Sequence, residues 1–262
     1  MKISLLLPSF RRAHLLELGL YSITRNPTKY DLEIIVLNDG LPDETENVCK
    51  KFPSLNIKYV FTGKRNLNGT IVKRPPSFAQ NIGLKQSAGD IIILSGPEIF
   101  HLNRALDILV DVLIHSPKSM IIPDFLYFDK LQHVTNALLS NRDAHIDIGA
   151  LLSGSFGRSH VEMPFLMALY KEHLMTINGL DEDLTGYAAD DNDLILRLKR
   201  IGLNYIRTPA QAIHLWHEES TDGGYHFENP AWVHNWNIYQ AHVNDTSIIK
   251  VNLNREWGKL DV

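Results

Sequence analysis

Four short apolar runs, Ile3–Leu7, Leu32–Leu37, Ile57–Phe61 and Ile91–Leu94, recur along the N-terminal part of the chain with helix-compatible stretches between them. This alternation constrains the fold more than any other feature. Runs of isoleucine, leucine and valine without polar interruption suit strands covered on both faces, and the stretches between them are long enough for the crossovers that parallel strands require. The expectation is a parallel α/β sheet. Leu15, Leu16, Leu18, Gly19 and Ile23 supply a helical stripe after the first run, stopped by Asn26-Pro27, and Pro42–Phe52 and Pro76–Ser87 form the next two connections.

Beyond Leu94 the pattern predicts a helix over Leu102–His115, a short strand at Met120–Ile122, a strand at Phe165–Tyr170 and a helix from Asp190 to Ile201. On that last helix Leu194, Leu198 and Ile201 share a face, and Arg197, Lys199 and Arg200 are expected to point elsewhere. Residues 124–157 show no clean period and read as a functional insertion rather than core. With 262 residues, 44% of them hydrophobic, one core accommodates the chain.

Composition excludes several classes. The 26 basic and 30 acidic residues leave a net charge of −4, without the basic excess of a nucleic-acid binder. The single cysteine, Cys49, rules out an intramolecular disulfide or a multi-cysteine zinc site and reads as a packing residue. An apolar strand starts within a few residues of Met1, and no apolar run approaches the ~20 residues needed to cross a bilayer. A cytoplasmic protein is the expectation, with peripheral attachment at the inner membrane face still compatible.

Two strand ends and one helix start carry the chemistry. Pro8-Ser9-Phe10-Arg11-Arg12 follows the first strand and Asn38-Asp39-Gly40 the second; ligands of open α/β sheets bind outside such carboxyl ends. There an Asp accepts hydrogen bonds from a nucleotide and an Arg offsets diphosphate charge. The cluster Asp190-Asp191-Asn192-Asp193 opens a helix after Gly186-Tyr187-Ala188-Ala189, which reads as a flexible approach. Helix N-termini favour carboxylates by roughly 0.3–1 kcal/mol each, which accounts for one or two of them but not readily for three in four positions.

These segments resemble a known family. Asp31–Gly40 is similar to the strand and Asp-Asp-Gly signature of family-two inverting glycosyltransferases of the GT-A fold. Phe78-Ala79-Gln80-Asn81-Ile82-Gly83-Leu84, followed by Ala88-Gly89-Asp90, resembles that family's Ala-Arg-Asn-x-Gly segment, and Asn178–Leu184 through Gly186–Leu194 resembles a galactosyltransferase-type C-terminal motif. The resemblance covers roughly residues 1–217 and implies a Rossmann-like catalytic domain there, with a nucleotide-binding half at 1–100, an acceptor and catalytic half at 101–217, and a C-terminal extension at 218–262. It implies a nucleotide-sugar donor, a UDP-sugar, and a glycan or lipid-linked acceptor. Pro8, Ser9, Arg11, Asn38, Asp39, Arg74, Gln80 and Asn81 would bind the donor. Asp191 would deprotonate the acceptor hydroxyl, while Asp190, Tyr187 and Trp216 would bind the acceptor.

One family feature is altered. Where relatives carry Asp-x-Asp against the donor diphosphate, this chain has Ser95-Gly96-Pro97-Glu98, so Glu98 alone offers a carboxylate, with His101 as a conceivable second ligand. Downstream, His217 matches the family's histidine ligand better than His214. Residues three apart on an extended strand face opposite ways, so the two histidines are not expected to act together. Glu98, His217 and diphosphate oxygens would suit Mn²⁺ or Mg²⁺. Lys64, Arg65, Lys73 and Arg74 offer the alternative of a purely cationic diphosphate site.

The C-terminal stretch holds Trp232, Trp236, Trp257, Tyr225 and Tyr239. Anchoring to the core or a homodimer contact takes precedence there over sugar stacking, and Gly223-Gly224 is placed to hinge a lid. Two other functions compete with the main reading: a nucleotidyltransferase, which wants a glycine-rich phosphate loop that Pro8-Ser9-Phe10-Arg11 lacks, and a non-catalytic nucleotide-sugar-binding scaffold, against which the Asp190-Asp191 pair argues.

Overall fold

The computed structural model describes residues 1–62, 75–149, 151, 164–186, 188–218 and 229–260. The four apolar runs become β1 (Lys2–Ser9), β2 (Asp31–Asn38), β3 (Ile57–Phe61) and β4 (Ile91–Ser95), joined by α1 (Ala13–Arg25), α2 (Thr45–Lys50) and α3 (Ser77–Gln86). β1 lies parallel to β2 and β4, and β2 parallel to β3. Leu5, Leu6, Ile34, Ile35, Ile92 and Ile93 are all fully buried, which is why these strands show no polar alternation.

There follow β5 (Ile99–His101), α4 (Ala105–His115), β6 (Ser119–Phe128), α5 (His133–Ser140), β7 (Leu166–Tyr170), α6 (Lys171–Thr176), α7 (Asp190–Arg200), β8 (Asn204–His214) and α8 (Pro230–Asn244). The described residues build one eight-stranded sheet in the order β3-β2-β1-β4-β7-β6-β8-β5. β6 and β8 are parallel, whereas β7 runs antiparallel to β4 and β6, and β5 antiparallel to β8. The sheet is thus mostly parallel, with its antiparallel pairs confined to the second half.

Helices cover both faces. One core packs Leu16, Leu20, Leu106 and Leu109 of α1 and α4, with Cys49 of α2, on β1, β2 and β4, and the other packs Ile82, Leu194 and Leu198 of α3 and α7 on the opposite face. No helix among the described residues is long and apolar enough to cross a membrane.

Three local expectations are corrected. The strand predicted to end at Ile122 continues to Phe128, and α5 follows, so part of 124–157 is regular structure. Pro123 and Pro209 hide this: the β6–β8 register shifts between Pro123 and Phe125, a bulge where prolines without N–H groups are tolerated and the period of two is lost. Helix α4 starts at Ala105 because the N–H of Leu102 donates to the carbonyl of Gln211 on β8. Arg197 does not face solvent but is fully buried. It lies three residues from Leu194, hence on the same side of α7, and its guanidinium is occupied by Asp193 Oδ2 at 2.7 Å and the carbonyls of Ile177 and Gly179.

Candidate active site

A cavity of about 940 Å³ opens at the carboxyl ends of β1 and β4 and faces the start of α7. Its floor is Pro8, Ser9 and Asp39. The Asp39 N–H donates to the Ser9 carbonyl at 2.8 Å, and its Oδ1 accepts from the Thr62 hydroxyl at 2.6 Å, so the carboxylate is held at the end of β2. Gln80, from α3, also lines the cavity.

Several sequence candidates sit elsewhere. Arg11 takes a left-handed φ of 58° and is exposed, its guanidinium over the Phe10 ring, and this turn directs the next residue, Arg12, into the cavity instead. Asn38 shapes the loop after β2, accepting from the Gly40 N–H and donating to Asp43 and Tyr59, and does not line the cavity. Asn81 is fully buried, donating to the Leu180 carbonyl and Glu182 and accepting from the Leu180 N–H, so it ties α3 to the 178–182 turn. Lys64, Arg65, Lys73, Arg74, Tyr187, Gly223, Gly224 and Tyr225 lie outside the described residues.

The wall built by β4, β8 and the β1–α1 turn holds Glu98. Gly96 permits this placement, because a Cβ there would lie 2.7 Å from Glu98 Oε1. Arg12 Nη1 reaches Glu98 Oε2 at 3.1 Å, its Nη2 lies 3.2 Å from His217 Nδ1, and His214 Nε2 is 3.6 Å from Glu98 Oε1. Burial pushes the Glu98 carboxyl up, but Arg12, His214 and His217 outweigh it and hold the group below the usual carboxylate range. Burial takes His214 down to about 4, so at neutral pH it is an uncharged imidazole, packed on Phe128 and edge-on to Phe165.

The two histidines do come together, contrary to the strand-alternation argument. β8 ends at His214, so residues 215–217 are free of the strand's period, and the two rings sit 5.2 Å apart. One ligand atom each from Glu98, His214 and His217 fall within 4.8 Å of one another. One carboxylate and two imidazoles fit a divalent transition metal such as Mn²⁺ that completes its shell with diphosphate oxygens. His101 is not part of this group: it is buried on β5, away from the cavity lining, with its pKa pushed down to about 4 by burial.

The first turn of α7 lines the same cavity. Ala188 and Ala189 both adopt left-handed φ, 61° and 68°, a conformation costly for residues with a Cβ and maintained by their surroundings. Asn235 of α8 clamps Gly186 and Ala188, accepting from the Gly186 N–H at 2.8 Å and donating to the Ala188 carbonyl at 2.7 Å. A Cβ on Gly186 would lie 2.0 Å from the Ala231 carbonyl oxygen, so only glycine lets α8 approach this closely.

The clamp delivers Asp190 and Asp191 to the cavity. Burial raises the Asp190 carboxyl to about 6, and burial together with the neighbouring Asp190 raises Asp191 well above its ordinary value. Asp193 turns inward instead, where His242 and Arg197 overcome its burial and keep it ionised. Asp181, Asp193 and His242 also form a tight group, but Arg197 and Arg255 already pair with its carboxylates, which makes it a structural lock between α7 and the C-terminal segment.

Trp216 lines the cavity, its backbone N–H donating to Thr135 Oγ1, which in turn donates to Asp129. The C-terminal aromatics divide in two. Trp257 packs against the α3–α7 core with Lys85 Nζ 3.7 Å from its ring centre, as the anchoring reading expects, whereas Trp232 and Trp236 line the cavity.

Residues 4–137 match the model of glycosyl transferase family 2, and residues 164–219 match that of the N-terminal domain of galactosyltransferase. Chondroitin synthase of Escherichia coli is 23% identical over 246 residues, covering 83% of this chain and 34% of the relative. Validoxylamine A glucosyltransferase of Streptomyces hygroscopicus subsp. jinggangensis (strain 5008) is 23% identical over 229 residues, covering 77% of this chain and 52% of the relative. The chain therefore spans between about a third and a half of the length of these curated relatives. Among solved structures, S. aureus TarS 1-349 in complex with UDP-GlcNAc aligns with a TM-score of 0.64 at 13% identity, covering 98% of this chain and 68% of that one. The mannosyltransferase PcManGT from Pyrobaculum calidifontis, in complex with GDP-Man and Mn²⁺, aligns with a TM-score of 0.56 at 18% identity, covering 92% of this chain and 61% of that one. These likenesses establish the GT-A fold.

Proposed function

This chain belongs to glycosyl transferase family 2 and is a glycosyltransferase, and on that premise we propose that it moves a sugar from a nucleoside diphosphate donor, a UDP-sugar, to a hydroxyl of a glycan or glycolipid acceptor with inversion, Asp191 serving as general base. The observation that carries the reading is the single cavity that joins the strand ends, with Ser9, Asp39 and Glu98, to the Asp190-Asp191 turn. Residues 1–100 form the donor half and residues 101–217 the acceptor and catalytic half in this reading.

Inversion needs one carboxylate on the acceptor side of the anomeric carbon. As the acceptor oxygen attacks that carbon, its proton passes to Asp191, the bond from the carbon to the diphosphate oxygen breaks, and the nucleoside diphosphate leaves. Burial and the neighbouring Asp190 raise the Asp191 pKa and so make it a stronger base, and general-base catalysis contributes about 10²–10⁴-fold. Asp190 holds the acceptor beside it. Glu98, His214 and His217 would hold a divalent cation, which when bound supplies positive charge to the leaving diphosphate. Arg12, on the same carboxylate, offers a fixed second cation.

The test is a thermal-shift screen of nucleoside diphosphates and nucleotide sugars with and without Mn²⁺, followed by a transfer assay. A ligand at 100 times its dissociation constant stabilises the fold by about 2.7 kcal/mol, a clear rise in melting temperature. Stabilisation by UDP-sugars, strengthened by Mn²⁺, is the expected result. No shift with any nucleotide sinks the reading, and binding without transfer or donor hydrolysis identifies a scaffold instead.

A further inference from the structure

We infer that Trp232 and Trp236 form the acceptor platform, on which the pyranose ring of a neutral glycan stacks with a hydroxyl turned toward Asp191. The inference rests on the glycosyl-transfer reading and adds to it the face that receives the acceptor and the charge class of the ring. The two tryptophans lie four apart on α8 and so share one side of the helix. Their rings stack 5.0 Å apart with 14° between planes, and Tyr239 leans on Trp236 at 5.5 Å. Both are half-buried and line the cavity that holds Asp190 and Asp191.

The wall is rigidly tied to the base. Asn235, between the two tryptophans in sequence, is fully buried in the clamp on Gly186 and Ala188, immediately before the acidic pair. At the far end of α8, His242 Nδ1 is 2.6 Å from Asp193 Oδ1, on the same turn of α7 as the two catalytic-side carboxylates. At its start Asn229 caps the helix by accepting from the Ala231 N–H. Helix α8 therefore cannot shift without moving the turn that presents Asp191.

The chemistry of the wall selects its ligand. The C–H face of a pyranose packs flat on an indole, leaving the hydroxyl edges for polar partners, and Asp190 and Asp191 line the same cavity to accept them. The negative charge that this acidic pair carries near neutral pH disfavours an acidic sugar, since like charges brought together cost several kcal/mol. The ring that meets Asp191 is accordingly a neutral one. A nucleobase also stacks on indole, but the strand ends that suit a nucleotide, with Ser9 and Asp39, form a different wall of the cavity.

The experiment uses the full chain with saturating UDP and an array of hexasaccharides, neutral (glucans, chitin and galactan) and acidic (polygalacturonate). Binding of at least one neutral hexasaccharide is expected, weakened about 10-fold or more in Trp232→Ala and Trp236→Ala, and less in the Phe variants that keep an aromatic face. UDP affinity is retained, and melting curves confirm that the variants are folded. The platform is overturned if no neutral hexasaccharide binds, if polygalacturonate binds more tightly, if folded Ala variants bind the glycan as wild type does, or if they lose UDP affinity as well. Failure of wild type to bind any nucleoside diphosphate instead marks failure of the transfer reading itself.

Discussion

Glu98, buried, and Asp191, half-buried, line one cavity, yet their ionisation moves in opposite directions. Burial raises both, and the neighbours decide the rest. Around Glu98 stand Arg12 and two histidines, and the Arg12 guanidinium leads in holding it ionised, whereas beside Asp191 stands another carboxylate, which pushes it further up. A carboxylate pinned in its charged form is a holder of cations and diphosphate. One poised at a raised pKa is an exchanger of protons. The contrast assigns different work to two residues of like chemistry, and it can be broken from either side.

The largest effect belongs to Asp191→Asn. Losing the base lowers turnover at least ~10²-fold while the donor dissociation constant stays near wild type, because the strand-end wall is untouched. Single-turnover rates together with UDP titration measure both, and near-normal turnover would remove Asp191 from its role. Glu98→Gln should give the opposite pattern. Donor or metal affinity falls roughly 10–100-fold, with the proton-transfer limb of the pH profile unmoved, as read from transfer rates over a range of Mn²⁺ concentrations. Full activity after exhaustive chelation would dismiss the metal and leave Arg12 as the cation serving the diphosphate.

A subtler separation comes from pH. The Asp190-Asp191 pair titrates as a unit above the ordinary carboxylate range, so kcat/KM should climb with pH through an acidic limb lying higher than that of a solvated carboxylate. In Asp190→Asn the like charge is gone, and the limb of the residual activity should move down. A limb unchanged by that substitution would mean that burial alone sets Asp191.

The two walls also differ in how much of them the sequence discloses. The strands β1–β4 were legible because a strand covered on both faces is a continuous apolar run, and Asp190-Asp191 because three carboxylates opening a helix exceed what its dipole explains. The Glu98 wall was only half legible. Pairing of His214 with His217 depends on β8 ending at His214, and the exchange of Arg11 for Arg12 depends on one left-handed turn. Neither leaves a trace in spacing. Pro123 and Pro209 disguised the long β6–β8 pairing, and Asn235, an ordinary polar residue in an aromatic helix, gives no local sign of the clamp it makes some fifty residues back.

The smallest expected effect concerns stability. Asp190 has its folded pKa raised from 3.8 to about 6, so the fold favours the protonated form. For a group shifted this way the stabilising contribution is complete below the unfolded value and is lost as pH rises through the folded one, which places the loss between about pH 4 and pH 6. Above that window the native state carries a buried charge that the unfolded chain would rather solvate. Asp190→Asn removes it, so the variant should melt a few degrees higher than wild type at pH 8, about 3–6 °C for a chain of this size, and show little or no gain at pH 4. The Glu98 wall predicts the reverse sign, because its carboxylate is lowered by partners: Glu98→Gln should melt lower than wild type at pH 8. Calorimetric scans of both variants at the two pH values test the comparison without any substrate. A gain for Asp190→Asn at pH 4 equal to that at pH 8 would show that packing, rather than the buried charge, separates the two walls.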